Sequence, residues 1–295
     1  MSEAQVAVIG GSGFYEMAGL ADRREVRVET PFGEPSDAIL LGSLGKVGVA
    51  FLPRHGKGHR LLPSEVPARA NIYALKTLGV ERIISVNAVG SLREEIEPRH
   101  LVVPLQLIDR TVARADTFFG EGLVAHVSFA DPFCPDLRHV LVEGRRRSGA
   151  PLHDGGTAVV IEGPSFSTRA ESSLHRSWGA DLVSMTMLPE AKLAREAGIC
   201  YAALACVTDY DVWRESYADV TAQMILDNLL TTVESARRVV ASAIGQLPSE
   251  RNCACAHALD DALITQPDLV PPATLRKLAS IIGDRVPVGK DGNGR

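Results

Sequence analysis

Short apolar runs alternate with stretches of helical spacing along most of the chain, the pattern of an α/β protein. Residues 5–9 (QVAVI) form an apolar run ended by glycines, and 38–41 and 47–52 read as a hairpin joined through 42–45. Residues 63–78 have helical spacing, with Ser64 as cap, Pro67 in the first turn and Gly79 as stop. Residues 82–87 and 101–108 are β-branched or aliphatic and bounded by turn residues, a pattern repeated at 157–161, 182–185 and 201–207. Thr168 and Glu171 have the spacing of a capping box, and Pro189 fits a first helical turn that Gly198 closes. Residues 220–244 form a long amphipathic segment expected to lie against the sheet. These elements predict one α/β domain over 1–246, a twisted mixed β-sheet surrounded by helices. A C-terminal extension is expected over 247–295, helical at about 256–282 and ending in a loose polar tail.

Composition removes several function classes. Thirty-one Lys+Arg against 36 Asp+Glu leave a net charge of −5, without the basic footprint of a nucleic-acid binder. No run approaches the roughly 18 apolar residues of a membrane span. No basic segment precedes an apolar run near residue 1, so a cytoplasmic protein is expected. Five cysteines are too few and too scattered for a disulfide-built scaffold.

Four familiar motifs can be set aside. Residues 10–13 (GGSG) follow an apolar run, but Glu16 stands where a dinucleotide fingerprint needs its third glycine. No G-x-x-x-x-G-K-[ST] string occurs, and Phe14 prevents Ser12 from being a nucleophile elbow. His55 and His59 are separated by Gly56 and Gly58, which disfavours a helix, and no third ligand lies nearby, so no metal is expected.

What remains suits an oxyanion. The 10–13 turn can form a nest of backbone N–H groups with the Ser12 hydroxyl, although a plain tight turn reads equally well. Arg54 offers a guanidinium fork and His55 a further donor, in what is otherwise a solvated loop. Residues 87–91 (NAVGS) bring a strand into a small-residue turn, and Thr186 after Met185 adds a hydroxyl. Such groups at the ends of separate strands lie where open α/β sheets bind ligands. Farther on, Asp209 and Asp211 stand two apart after an apolar strand, so they can face the same way in an extended segment. That pair can accept from an exocyclic amine and give a proton to a ring nitrogen; the alternative is a turn or helix cap before Trp213.

The strings VIGGSGFYE (8–16), TPFGEPSD (30–37), PRHGKGHRLLPSEVPARANIYALK (53–76), NAVGSLREEI (87–96), DPFCP (131–135), IEGPSFSTRAES (161–172) and VTDYDVW (207–213) occur in family order. Through them the chain resembles the trimeric purine nucleoside phosphorylase family, in its 5′-methylthioadenosine phosphorylase branch, over residues 5 to 245. The resemblance implies a nucleoside phosphorylase-like fold and phosphorolysis of 5′-methylthioadenosine to adenine and 5-methylthioribose 1-phosphate. It implies no metal or organic cofactor, inorganic phosphate being a co-substrate. Its partners are the nucleoside and phosphate, with no nucleic acid and no membrane, and a homotrimer is expected.

Carried over by residue, Ser12, Arg54, His55, the Ala88 backbone and Thr186 resemble the phosphate shell. Met185 matches the residue packed on the ribose, Phe166 the aromatic on the base, and Asp209 and Asp211 the base readers, with Asp209 as proton donor at N7. Ala222, Ile225 and Leu226, with His126, resemble the lining around the 5′ substituent. Members that prefer 6-oxopurines carry Asn at the equivalent of Asp209, which favours adenine here. Ala222 is smaller than the Val of animal relatives, leaving room for adenosine or another 5′-substituted adenosine; a hydrolytic nucleosidase is the rival that does without Arg54 and His55. Asn87 stands where some relatives have Thr, and Ser165 where many have Arg. Cys253-Ala254-Cys255 resembles a C-x-C pair of some prokaryotic relatives, and a redox-active pair, a disulfide and two plain thiols remain open.

Overall fold

The computed structural model describes residues 3–11, 17, 19–214 and 220–286. Its strands are β1 (Val6–Gly10), β2 (Leu20–Val26), β3 (Ile39–Leu44), β4 (Val47–Pro53), β5 (Arg82–Ser91), β6 (Leu101–Val103), β7 (Gln106–Arg110), β8 (Leu152–Asp154), β9 (Thr157–Ile161), β10 (Leu182–Ser184) and β11 (Cys200–Asp209). Its helices are α1 (Ala68–Thr77), α2 (Pro135–Glu143), α3 (Arg145–Ser148), α4 (Arg169–Ser177), α5 (Glu190–Glu196), α6 (Ala222–Gln246) and α7 (Pro272–Ile282). The strands form one mixed sheet in the order β2-β3-β4-β1-β5-β10-β9-β7, and β11 joins β5 to β6, which continues to β8.

β5 is the hub of this sheet. Parallel β1 pairs with its first half from Arg82 to Ser85, and antiparallel β10 with Gly90 and Ser91. Parallel β11 runs along β5 from Cys200 opposite Arg82 to Asp209 opposite Gly90. All ten residues of β11 are buried, which explains its continuous apolar sequence. Alternate residues serve opposite cores. Tyr201, Ala203, Ala205 and Val207 meet the layer holding α1, α5 and α7, whereas Cys200, Ala202, Leu204 and Cys206 meet α2 and α6. Alanines at so many of these positions let helices approach both faces closely.

The expected hairpin is β3–β4, turning at Gly45 with φ 61°. The capping box is present, with Thr168 Oγ1 accepting from Glu171 N–H and Glu171 Oε2 accepting from Thr168 N–H at 2.7 Å. The helix expected from residue 63 begins only at Ala68, with Pro67 at its N-cap and no side-chain cap from Ser64. The stretch 101–108 is split: Pro104 ends β6, which pairs with β11 and β8, and β7 then pairs with β9. Between 256 and 282 the only α-helix is α7, preceded by 3-10 turns at Ala254–His257 and Pro267–Leu269. α7 packs against α1, and the segment before it pairs with the 120s loop through His126 N–H to Ala262 O (2.9 Å) and Ile264 N–H to Val124 O (3.0 Å). The polar tail expected at the C-terminus lies outside the described residues from 287 onward.

Candidate active site

Because β1, β4, β5 and β11 run parallel, their carboxyl ends open on the same side of the sheet. Gly10 ends β1 opposite Pro53 of β4, and Arg54 N–H donates to Gly10 O at 3.0 Å, so two of the anticipated loops are neighbours. Ser12 lies outside the described residues.

Arg54 is buried, and its guanidinium is engaged from several sides. Nε donates to Glu190 Oε1 at 2.6 Å, Nη1 to Val86 O at 2.9 Å, and Nη2 to Ser85 Oγ at 2.6 Å. Glu190 Oε2 and Ile9 O also accept from Nη2, at 3.2 and 3.3 Å. Ser85 Oγ in turn faces Glu190 Oε2 and Asn87 Oδ1, at 3.0 and 3.2 Å. Asn87 then donates from Nδ2 to Thr186 Oγ1 at 2.9 Å. One hydrogen-bond chain therefore runs from Glu190 at the start of α5, through Arg54 and Ser85, to Asn87 and Thr186. Ala88 follows Asn87 on β5, half-buried and paired with Cys206.

His55 is not a free donor on both nitrogens. Nδ1 lies 2.8 Å from Leu61 O, which requires the proton there and leaves Nε2 as an acceptor in the neutral ring. Burial, followed by the Arg54 charge, lowers its pKa to about 4, so the ring is neutral at pH 7. It stacks on His59 with ring centroids 4.3 Å apart.

The acidic pair sits where β11 breaks from regular pairing. Val207 faces Val89 and Asp209 faces Gly90, so Thr208 is the extra residue of a bulge. Asp209 Oδ2 accepts from Thr208 Oγ1 at 2.7 Å, and Oδ1 accepts from Asp211 N–H at 2.8 Å. Asp211 adopts a left-handed backbone (φ 51°), a conformation Asp tolerates. The carboxylates are thus related by a turn, and an extended segment is not what joins them. Burial pushes Asp209 up to about 6, against the two hydrogen bonds it accepts, and also raises Asp211. Around Asp211, the buried Ser172 and Ser167 hydroxyls hold its pKa down against burial, and the buried His175 Nδ1 lacks a hydrogen-bond partner, a set of polar atoms suited to a polar ring.

The other expected site residues stand on separate elements. Phe166 is 41% exposed just ahead of α4. Met185 is half-buried, and Arg114 holds its backbone by donating from Nη1 to Met185 O (2.6 Å) and Leu188 O (2.7 Å). Asn228 Nδ2 donates to Thr208 O at 2.7 Å, tying α6 to the acidic pair. Ala222 and Leu226 on the first turns of α6 are exposed, Ile225 is half-buried, and His126 is exposed on its loop. Among the described residues, no hydrogen bond joins His126, Ala222, Ile225 or Leu226 to the acids or to the Arg54 chain.

Residues 5–245 match the profile of the Phosphorylase superfamily. The chain belongs to this superfamily. The phosphorylase is 55% identical to the S-methyl-5′-thioadenosine phosphorylase of Geobacter sulfurreducens, over 96% of this chain and 100% of that one. It is 54% identical to the enzyme of that name from Gloeobacter violaceus, with 95% of each chain covered. Among solved structures, a methylthioadenosine phosphorylase from an antarctic soil metagenomic library superposes with a TM-score of 0.91 at 49% identity, covering 95% of this chain and 99% of that one. A variant adenosine/methylthioadenosine phosphorylase of Schistosoma mansoni, in complex with adenine, gives 0.80 at 39% identity, covering 84% and 93%.

Sequence reasoning on the phosphorylase missed Glu190, Ser85, Arg114 and Asn228. Each acts through a partner more than 20 residues away or on another element, so no local pattern announces it. Burial is the common signal: Glu190 is 1% exposed, a state carboxylates adopt almost only when paired, as here with Arg54.

Proposed function

We propose that the chain catalyses phosphorolysis of 5′-methylthioadenosine, releasing adenine and 5-methylthioribose 1-phosphate. The observation that carries the chemistry is the buried Asp209 carboxyl, pushed up to about 6 and fixed by Thr208 and Asp211. A phosphate oxygen attacks C1′, the C1′–N9 electron pair moves into the purine, and the Asp209 proton goes to N7. Protonation of that kind contributes a factor of about 10²–10⁴. Asp211 accepts from the 6-amino group, with Ser167 beside it, and Phe166 packs on the base.

Phosphate is held by Ser12, the Ala88 N–H, Thr186 and His55 over the Arg54 charge. His55 Nε2 accepts a hydrogen bond from the phosphate hydroxyl because Nδ1–H is committed to Leu61 O. Glu190 keeps Arg54 from turning away, and Asn87 orients Thr186. Met185 packs on the ribose, and Ala222, Ile225, Leu226 and His126 surround the 5′ substituent. No metal or organic cofactor enters this scheme, and the described residues include no helix long and apolar enough to cross a membrane. The enzyme is a cytoplasmic homotrimer on this reading, and light scattering from the purified chain tests the assembly.

Adenine release with and without phosphate is the deciding assay. Release should require phosphate, and equal rates in its absence would overturn the proposal. A second reading, adenosine as an additional substrate, is favoured by the small exposed Ala222 and by the name of the Schistosoma relative. A kcat/KM for adenosine within about tenfold of that for the methylthio substrate supports it, one methylene being worth roughly 10–200-fold.

A further inference from the structure

Four of the five cysteines, far apart in sequence, converge at the opposite end of β11 from Asp209. Cys134 is the N-cap of α2, Cys200 opens β11, and Cys253 and Cys255 flank the start of the 3-10 turn at Ala254–His257. Their sulfurs all lie within 4.8 Å of one another, and Cys200 and Cys253 are 3.3 Å apart. A tetrahedral site with metal–sulfur bonds of about 2.3 Å has sulfur–sulfur edges of about 3.8 Å, so small side-chain adjustments close such a site here. Cys134, Cys200 and Cys255 are buried and Cys253 half-buried.

We infer that Cys134, Cys200, Cys253 and Cys255 are a tetrathiolate site for a structural zinc ion. Four thiolates and no oxygen donor select a soft or borderline divalent metal, and four protein ligands leave no open position for catalysis. Binding converts four thiols and Zn²⁺ into a complex of net charge −2 and releases four protons. Cys134 stands at the positive end of α2, which favours that charge, and Arg82 and Arg251 line the same recess opposite Asp136 and Glu250. The three segments are already held together by backbone and arginine hydrogen bonds. Cys134 N–H donates to Tyr201 O (2.8 Å) and Cys200 N–H to Glu81 O (3.0 Å). Arg251 Nη1 donates to Gly198 O (2.9 Å), and Arg82 Nη2 to Pro248 O (2.9 Å). The ion fastens the chain after α6 to the start of the central strand. This departs from the metal-free chain expected from the sequence, where Cys253 and Cys255 were seen without Cys134 and Cys200 beside them.

The test is metal analysis of the full chain, purified with a reductant and without a metal-affinity tag. The expected result is one zinc per chain. Cobalt(II) exchanged into the site should give an intense thiolate-to-cobalt charge-transfer band and the visible bands of tetrahedral coordination. Cys206→Ala, which alters the fifth cysteine, should keep both signals. Cys253→Ser with Cys255→Ser, which removes two of the four ligands, should abolish the bound zinc and the tetrathiolate cobalt spectrum. The proposal is overturned if the wild-type chain holds no zinc and gives no tetrathiolate cobalt spectrum. Disulfide bonds among these four cysteines in the freshly purified, reduced protein would overturn it as well. Both readouts use the wild-type chain, so they stand even if the double variant fails to fold.

Discussion

Gly90 lies so close to Asp209 that a β-carbon built on it would stand 2.8 Å from Asp209 Oδ1 and 3.4 Å from Asp211 Cβ. Any side chain here must push the Asp209 carboxyl aside, because the bulge at Thr208 places that acid beside the end of β5. Gly90→Ala should displace the carboxyl by a few tenths of an ångström or more and lower kcat by up to about 10²-fold. The overpacking should cost about 1–3 kcal/mol of stability. Steady-state kinetics and thermal unfolding of the variant check both.

Asp209→Asn should separate activity from stability. Loss of the N7 proton donor should depress turnover of adenine nucleosides by about 10²–10⁴-fold and improve tolerance of inosine. The folded carboxyl titrates at about 6, above its ordinary 3.8, so its contribution to stability is present below 3.8 and lost as the pH rises through 6. At pH 8 the Asn variant should therefore be the more stable protein, by up to about 3 kcal/mol. Wild-type kcat/KM should fall on the alkaline side of pH 6, and the variant should lack that limb.

Arg54→Ala should raise the KM for phosphate more than the KM for nucleoside. It should also cost about 3–5 kcal/mol, because Glu190 is left buried without its cation. Glu190→Gln retains a hydrogen-bonding side chain of the same size and frees Arg54, so its effect on phosphate KM should follow the same direction with smaller loss of stability. Equal changes in both KM values would remove Arg54 from the phosphate site.

His55 carries the opposite pH signature from Asp209. Its folded pKa, about 4, lies below the ordinary 6.5, so its full contribution is present above 6.5 and is lost as the pH falls toward 4. Allowing for solvent around the partly exposed ring, the loss should be about 2–3 kcal/mol. His55→Asn should flatten this acid limb in urea unfolding curves recorded between those pH values.

The central strands were legible in the sequence because their burial on both faces leaves an uninterrupted apolar run, as in β11. β2 was not, since LADRREV is an exposed edge strand whose charges protect it from pairing with other chains. Residues 101–108 read as one strand, although the chain crosses between two distant parts of the sheet at Pro104. At the site, Asp209, Asp211, Arg54 and Thr186 stood out by residue type. The chain of contacts that orients Arg54 and Thr186 depends on Glu190, whose role exists only once α5 is packed against α1 and β11.

α7 covers α1, and Leu278, Ile281 and Ile282 share one layer with Ile72 and Leu75. Ribosomal synthesis delivers α1 some two hundred residues before the helix that shields it. During translation that apolar flank stays bare, a window for aggregation or chaperone capture that closes only when residue 282 has left the exit tunnel.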